Sequence, residues 1–254
     1  IRGAALATVL SQLTSFIWVM RFLLSQKPKL RLRLENMKIE AAVLKEIAVL
    51  GSAPFFMSVS EGILNVCFNH QVLRFGGDLA VSAMTILFSI FQFILLPVEG
   101  VAQGAQPIIG QNYGAGNSGR VKETIKLAAV GNLIFTVCAT SLIMAFPAFF
   151  IRIFNPNIEL VRMGERMLRI YAGGFFVVGL NSTFQQTYNA LGEGKRAFFF
   201  AFYRKGILLI PLLYLLPCIL PWGVLAVMLA EPVSDILTTG TNALYFRRFI
   251  NKKL

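Results

Sequence analysis

Seven apolar runs, near residues 3–24, 46–73, 79–111, 123–150, 160–190, 196–217 and 222–246, each reach the roughly 20 residues that a helix needs to cross the hydrocarbon of a bilayer. Hydrophobic residues make up 56% of the chain and charged ones 14%, and the mean hydropathy is +0.67. That is more apolar surface than a soluble chain of this length buries. Within lipid every backbone polar group must be satisfied internally, and runs of this length do so as helices. The expectation is an all-α membrane protein of about seven transmembrane helices, with the lipid bilayer as its first partner. The net charge of +12 could suit nucleic acid. No basic stripe with interleaved stacking aromatics accompanies it, so no nucleic-acid partner is expected. Cys67, Cys138 and Cys218 lie inside apolar runs without metal-ligand spacing and read as small reduced core residues.

One long linker stands out. KPKLRLRLENMKIEAAVLK alternates basic and apolar residues and then turns helical, as suits an amphipathic connector on an anionic cytoplasmic surface. Short basic loops stay cytoplasmic. With the connector inside, alternating spans assign Arg120, Lys122 and Lys126, then Lys195, Arg196, Arg204 and Lys205, then Arg247, Arg248, Lys252 and Lys253 to the inner side. Most of the 24 basic residues then lie inside, and the C-terminus is cytoplasmic. The opening IRGAAL has no initiator Met, and the first run is too long and wrongly flanked for a signal peptide, so the chain reads as beginning partway through a longer protein.

The runs are not bland. QFILLPVEGVAQGAQPIIGQNYGAG, residues 92–116, is interrupted by Pro97, Gly100, Gly104 and Pro107 and carries Gln92, Glu99, Gln103 and Gln106 along one face. An ionisable group at the bilayer centre costs about 3 kcal/mol or more, so such residues face a bundle interior or a hydrated cavity. A cavity wall is one reading, and close helix packing through Gly100 and Gly104 the other. Residues 79–111 would make roughly 50 Å of helix, longer than a bilayer core of about 30 Å, so the run must tilt or bend at Pro97. In the second run Glu61, Asn65 and Asn69 follow at i, i+4 and i+8. A carboxylate so placed is suited to exchanging a proton or, with amide oxygens, coordinating Na⁺; interhelical hydrogen bonding is the alternative. Asn181, Gln185 and Tyr188 in the fifth run suit a tolerant drug cavity or ordinary packing. In the last run Glu231 and Asp235 stand one turn apart around Pro232, where mutual repulsion favours retention of a proton or cation. A helix starting near Trp222 puts Glu231 about 14 Å in.

Two motif matches fail on context. GAGNSG, residues 114–119, fits a dinucleotide-binding fingerprint but follows a membrane helix and reads as a turn. Asn181, Ser182 and Thr183 fit a glycosylation acceptor inside a membrane span.

Three segments, PVEGVAQGAQPIIGQNYGAG, NALGEGKRAF and GVLAVMLAEPVSD, in this order and spacing, resemble the C-terminal half of a multidrug and toxin extrusion (MATE) transporter, nearest its MepA-like branch. The resemblance implies a twelve-helix fold of two six-helix lobes. Residues 1–24 would supply the sixth helix, 25–45 the cytoplasmic connector and 46–254 the C-terminal lobe. It further implies exchange of small amphipathic organic cations for H⁺ or Na⁺ across the plasma membrane, with no other cofactor or metal and no enzymatic step. The partner would be the N-terminal lobe of the same transporter. Under that reading Glu61, Glu231 and Asp235 are the candidates for cation coupling. Asn65, Asn69, Gln92, Glu99, Gln103, Gln106, Asn181, Gln185 and Tyr188 are the candidates for the substrate cavity. A lipid-linked sugar flippase of the same superfamily should carry a more cationic cavity. A seven-helix membrane sensor fits the span count, and a membrane hydrolase lacks a nucleophile and base.

Overall fold

The computed structural model describes residues 2–25 and 41–254. Residues 26–40, which hold most of the expected amphipathic connector, lie outside the described residues. The chain divides into two compact units, Ile1–Ser52 and Ala53–Leu254. In the first, α1 (Arg2–Leu24) is apolar along its length, and Ala5–Leu24 is long enough to cross a bilayer.

The second unit is helical throughout its regular structure. It takes in most of α2 (Ala41–Gly114), then α3 (Ser118–Ala145), α4 (Pro147–Phe154), α5 (Ile158–Tyr171), α6 (Val178–Ala190), α7 (Gly194–Phe202), α8 (Ile210–Ile219) and α9 (Val224–Lys253). The stretches Ser58–Gly114, Ser118–Ala145, Gly194–Ile219 and Val224–Lys253 are each long and apolar enough to span a membrane. The first of these holds two of the expected spans, divided at Gly77, whose backbone (φ 65°, ψ −170°) occupies a region open almost solely to glycine. The non-helical backbone in α2 falls there and not at Pro97, around which the helix continues.

The fifth expected run, 160–190, is also divided. Between α5 and α6 the chain tightens into a 3₁₀ segment, Ala172–Val177. The cause is a close crossing: a Cβ on Gly174 would stand 2.3 Å from the Pro232 Cα of α9. Only glycine lets the two backbones meet, and the pair of glycines there loosens the α-helical register. Between α7 and α8 the opposite occurs, and the helix widens into π-helical turns over Tyr203–Leu209. GAGNSG forms the turn from α2 to α3, as its context implied.

Helical periodicity sorts the side chains. On α3 the buried residues Val121, Ile125, Ala128, Asn132, Thr136, Thr140 and Ile143 recur at three- and four-residue spacing, so one stripe faces the bundle. Two apolar clusters result. Phe68, Leu87, Phe91, Met167, Tyr171, Leu213 and Met228 belong to one, and Ile109, Val121, Phe184, Tyr188, Phe200, Phe246 and Ile250 to the other. Lipid is as apolar as these side chains, so close packing and interhelical hydrogen bonds, more than water exclusion, hold such a bundle together. The hydrogen bonds are present: Asn132 Nδ2 donates to the Val98 carbonyl at 3.2 Å and to Thr183 Oγ1 at 3.0 Å, joining α3 to α2 and α6. Thr136 Oγ1 donates to the Phe176 carbonyl at 3.0 Å. Cys138 and Cys218 are exposed on the bundle's outside, which corrects their reading as core residues, while Cys67 is half-buried. All three thiols are free.

Candidate functional site

A cavity of about 490 Å³ opens within the second unit, walled by α2, α5, the 3₁₀ segment, α6, α7, the π-helical turns and α9. One side is aromatic. Phe88, Phe91, Tyr171 and Phe175 form a continuous surface, with ring centroids 5.9 Å apart for Phe88 and Tyr171, 4.9 Å for Phe91 and Tyr171, and 4.5 Å for Phe91 and Phe175. The polar part of the lining comes from Glu61, Asn65, Gln92 and Glu99 of α2 and Asn181, Ser182, Gln185 and Gln186 of α6. Ser182 Oγ donates to Glu99 Oε1 at 2.6 Å, holding that carboxylate against α6. Asn242 Nδ2 donates to Asn181 Oδ1 at 3.0 Å and so fixes the amide that faces the cavity.

Two successive cations in the π-helical turns complete the wall. Arg204 turns to α9, where its Nε donates to Asp235 Oδ1 at 2.5 Å and its Nη2 to Glu231 Oε1 at 3.2 Å. Ser234 Oγ donates to the Arg204 carbonyl at 2.9 Å, so α9 grips both side chain and backbone of that residue. Lys205 turns to α2 and donates from Nζ to Glu61 Oε1. Glu61, Glu99, Glu231 and Asp235 outnumber Arg204 and Lys205, so with every group ionised the site keeps an excess of negative charge. Aromatic faces and carboxylates both attract positive charge.

The sequence model of the family described as MatE matches residues 54–215, more than half of the chain. The chain belongs to the MatE family. It is similar to the multidrug export protein MepA of Staphylococcus haemolyticus (strain JCSC1435), with 26% identity over 238 residues covering 92% of this chain and 52% of that protein. It is 25% identical over 215 residues to the MepA of Staphylococcus aureus (strain NCTC 8325 / PS 47), covering 84% and 47% respectively. In fold it matches a crystal structure of a MATE protein in complex with MaL6 at a TM-score of 0.86 and 18% identity, across 99% of this chain and 57% of that one. The chain thus spans about half the length of the relatives it matches. Those relatives are named as exporters, not enzymes, and the all-helical architecture is that of MATE structures, as the sequence resemblance implied.

Within this MatE unit the cavity gathers Glu61, Asn65, Gln92, Glu99, Asn181, Gln185 and Glu231 from the residues singled out in the sequence. The others lie elsewhere, for identifiable reasons. Asn69 is exposed: eight helical residues overshoot two full turns by about 80°, which rotates it away from Glu61. Gln103 and Gln106 share the face of Glu99 but stand about 6 and 10 Å further along the axis, past the end of the cavity. Tyr188 is fully buried in the second cluster, its hydroxyl donating to Asn242 Oδ1 at 3.0 Å and its ring 5.9 Å from that of Phe200. Asp235 lies behind the wall, its side chain 3% exposed. α9 begins at Val224 and not Trp222, so Glu231 is about 10 Å from its start.

Arg204 and Lys205 are the site residues that the sequence reading left out. Counted only among the basic residues of the inner side, although the run 196–217 contains them, they sit within the Gly194–Ile219 span and line the cavity. The signal was in AFFFAFYRKGILLIPLL, two adjacent cations inside an apolar run, an arrangement that the bilayer penalises unless carboxylates await them. Glu231 and Asp235 were read as repelling each other. The guanidinium between them supplies the attraction instead.

Proposed function

We propose that this chain forms the C-terminal part of a cation-coupled multidrug exporter, in which amphipathic organic cations leave the cell in exchange for H⁺ or Na⁺. The observation that carries the reading is the cavity. Its volume of about 490 Å³ lies in the range typical of drug-sized ligands, about 300–1,000 Å³, and its lining combines Phe88, Phe91 and Phe175 with Glu61, Glu99 and Glu231. Rings attract a cation's charge at their faces and its apolar body by dispersion, and carboxylates add attraction without demanding one shape. That combination suits varied substrates.

Coupling requires a group whose occupancy by proton, metal ion or substrate differs between access states, because a ligand shifts an equilibrium only through differential affinity. Glu61 fits best of the three candidates, since its side chain is 55% exposed and held by one lysine. Glu231 and Asp235 share Arg204 and are less free to change partners. The reading further assigns residues 1–24 to the last helix of an N-terminal lobe, 25–45 to the connector and 46–254 to the C-terminal lobe, in the plasma membrane with the C-terminus cytoplasmic. Removing Arg204 and Lys205 from the inner set leaves the basic bias toward that side in place.

A second reading has one specific observation in its favour: Arg204 and Lys205 supply the cationic wall that a flippase of anionic lipid-linked sugars would need. Efflux by the complete protein in energised vesicles, with pH and Na⁺ gradients imposed separately, separates the two. Antiport predicts gradient-driven efflux of a lipophilic cation that Glu61→Gln abolishes. Absence of cation efflux under either gradient would favour the flippase.

A further inference from the structure

Arg204 and Lys205 are consecutive residues with opposite kinds of attachment. Arg204 is held by a carboxylate behind the wall, by Glu231 and through its own carbonyl by Ser234, and Asp235 is 3% exposed. Among the described residues Lys205 makes one ion pair, to a glutamate that is 55% exposed at the cavity edge, and its own side chain is 29% exposed. A guanidinium in a planar, multiply bonded seat is fixed, whereas an ammonium on a four-carbon stem is a mobile point charge. Lys205 also has places to go. Glu231 lines the same cavity as Lys205, and a gap of about 20 Å³, bordered by the stacked rings of Phe198 and Phe202, adjoins the Lys205–Glu61 pair.

We propose that Lys205 is a tethered competitor for the substrate: its ammonium occupies Glu61 in the empty cavity, yields that carboxylate to an incoming lipophilic monocation by swinging toward Glu231, and returns when the cation leaves. The inference rests on the cation-export reading above and adds a specificity determinant to it. Three consequences follow from charge alone. In the empty cavity the Glu61 carboxylate keeps a counter-charge for most of the time. Any inorganic cation, the coupling ion included, must displace an ammonium already in contact, so it reaches Glu61 only when its gradient drives it there. A lipophilic cation succeeds because the aromatic wall of Phe88, Phe91 and Phe175 adds attraction that the lysine lacks. Lys205 therefore sets the affinity threshold that a cation must pass to hold Glu61.

The test is equilibrium binding of tetraphenylphosphonium to the complete purified protein, comparing wild type, Lys205→Met, Glu61→Gln and the double variant. If Lys205 leaves Glu61 for about one-tenth of the time, removing it tightens apparent binding about tenfold. Glu61→Gln weakens binding, because the ammonium is then unpaired in the cavity, and the double variant returns toward wild type. Unchanged or weaker binding by Lys205→Met overturns the proposal, as would a double variant no better than Glu61→Gln alone. Lys205→Gln repeats the comparison if the methionine variant does not fold, and failure of both to fold would make the pair structural and overturn it too. Wild type that binds no tetraphenylphosphonium at all is a different result, which defeats the cation-export reading itself.

Discussion

Arg204 and Lys205 differ by one position in the chain and carry the same charge, yet one is built into the bundle and the other is laid against it. What separates them is the helix each meets. Arg204 meets α9 where Gly174 lets Pro232 approach within contact, so Glu231, Ser234 and Asp235 are pressed against it from a rigid crossing. Lys205 meets α2 at an exposed glutamate beside open cavity. A charge inside a membrane protein can therefore serve the fold or the cargo, according to how completely its partner is enclosed. The π-helical turns at Tyr203–Leu209 are where the two roles part, and such turns recur at functional sites.

The sharpest way to break this contrast is to remove each cation in turn. Arg204→Met leaves Asp235 and Glu231 without a counter-charge and is expected to cost about 3–5 kcal/mol of stability, the usual consequence of orphaning an enclosed charge. Thermal unfolding in detergent reads it, and Asp235→Asn on top should restore much of the loss. A drop no larger than that of Lys205→Met would erase the distinction. Gly174→Ala attacks the same seat through the backbone: its Cβ would stand 2.3 Å from Pro232 Cα, so α9 must shift. A loss of about 1–3 kcal/mol is expected from such overpacking, and a neutral result would mean that the crossing is soft.

Smaller effects sharpen the comparison. Tyr188→Phe removes an uncharged buried contact, the hydroxyl to Asn242, and should cost about 1 kcal/mol. Lys205→Met should cost about 0–1 kcal/mol, since a half-exposed ion pair contributes little to stability. The least effect belongs to a partly exposed ionic cluster where α6, α7 and α9 end or begin. Glu193, in the α6–α7 turn, accepts from Lys253 at 2.7 Å and pairs with Arg196 at 2.6 Å. The Lys253 hydrogen bond holds its carboxyl below the usual glutamate range, followed by the Arg196 charge. A depressed carboxyl contributes its stabilisation above the unfolded pKa and loses it as pH falls through the folded one. Amide exchange at the end of α9 should therefore rise on acidification through that range in wild type and be insensitive to it in Glu193→Gln.

Much of the fold was legible because a bilayer imposes length and apolarity on each span, and the divisions at Gly77 and near Gly173 and Gly174 fall at glycines. The site was harder to read. Spacing brought Glu61, Asn65, Gln92 and Glu99 to inward faces, but helical drift carried Asn69 off the stripe, and depth along the axis, which periodicity does not encode, left Gln103 and Gln106 beyond the cavity. Tyr188 and Asp235 point inward yet are absorbed by Asn242 and Arg204, partners more than thirty residues away in sequence or on another helix. Pairings of that kind are tertiary facts. Arg204 and Lys205 could have been flagged by the cost of two cations in an apolar run, but only the packed helices name their carboxylates.

On the reading proposed here, organic cations bind in the cavity between α2, α6 and α9. Its most direct test is cysteine protection in the complete protein after Cys67, Cys138 and Cys218 are replaced by serine. Gln185→Cys places a thiol in the cavity wall and Asn69→Cys places one outside it. With tetraphenylphosphonium at ten times its Kd, alkylation at position 185 should slow roughly tenfold by mass action while position 69 is unaffected. Equal rates at position 185 with and without the cation, under conditions where binding is measured independently, would contradict the account.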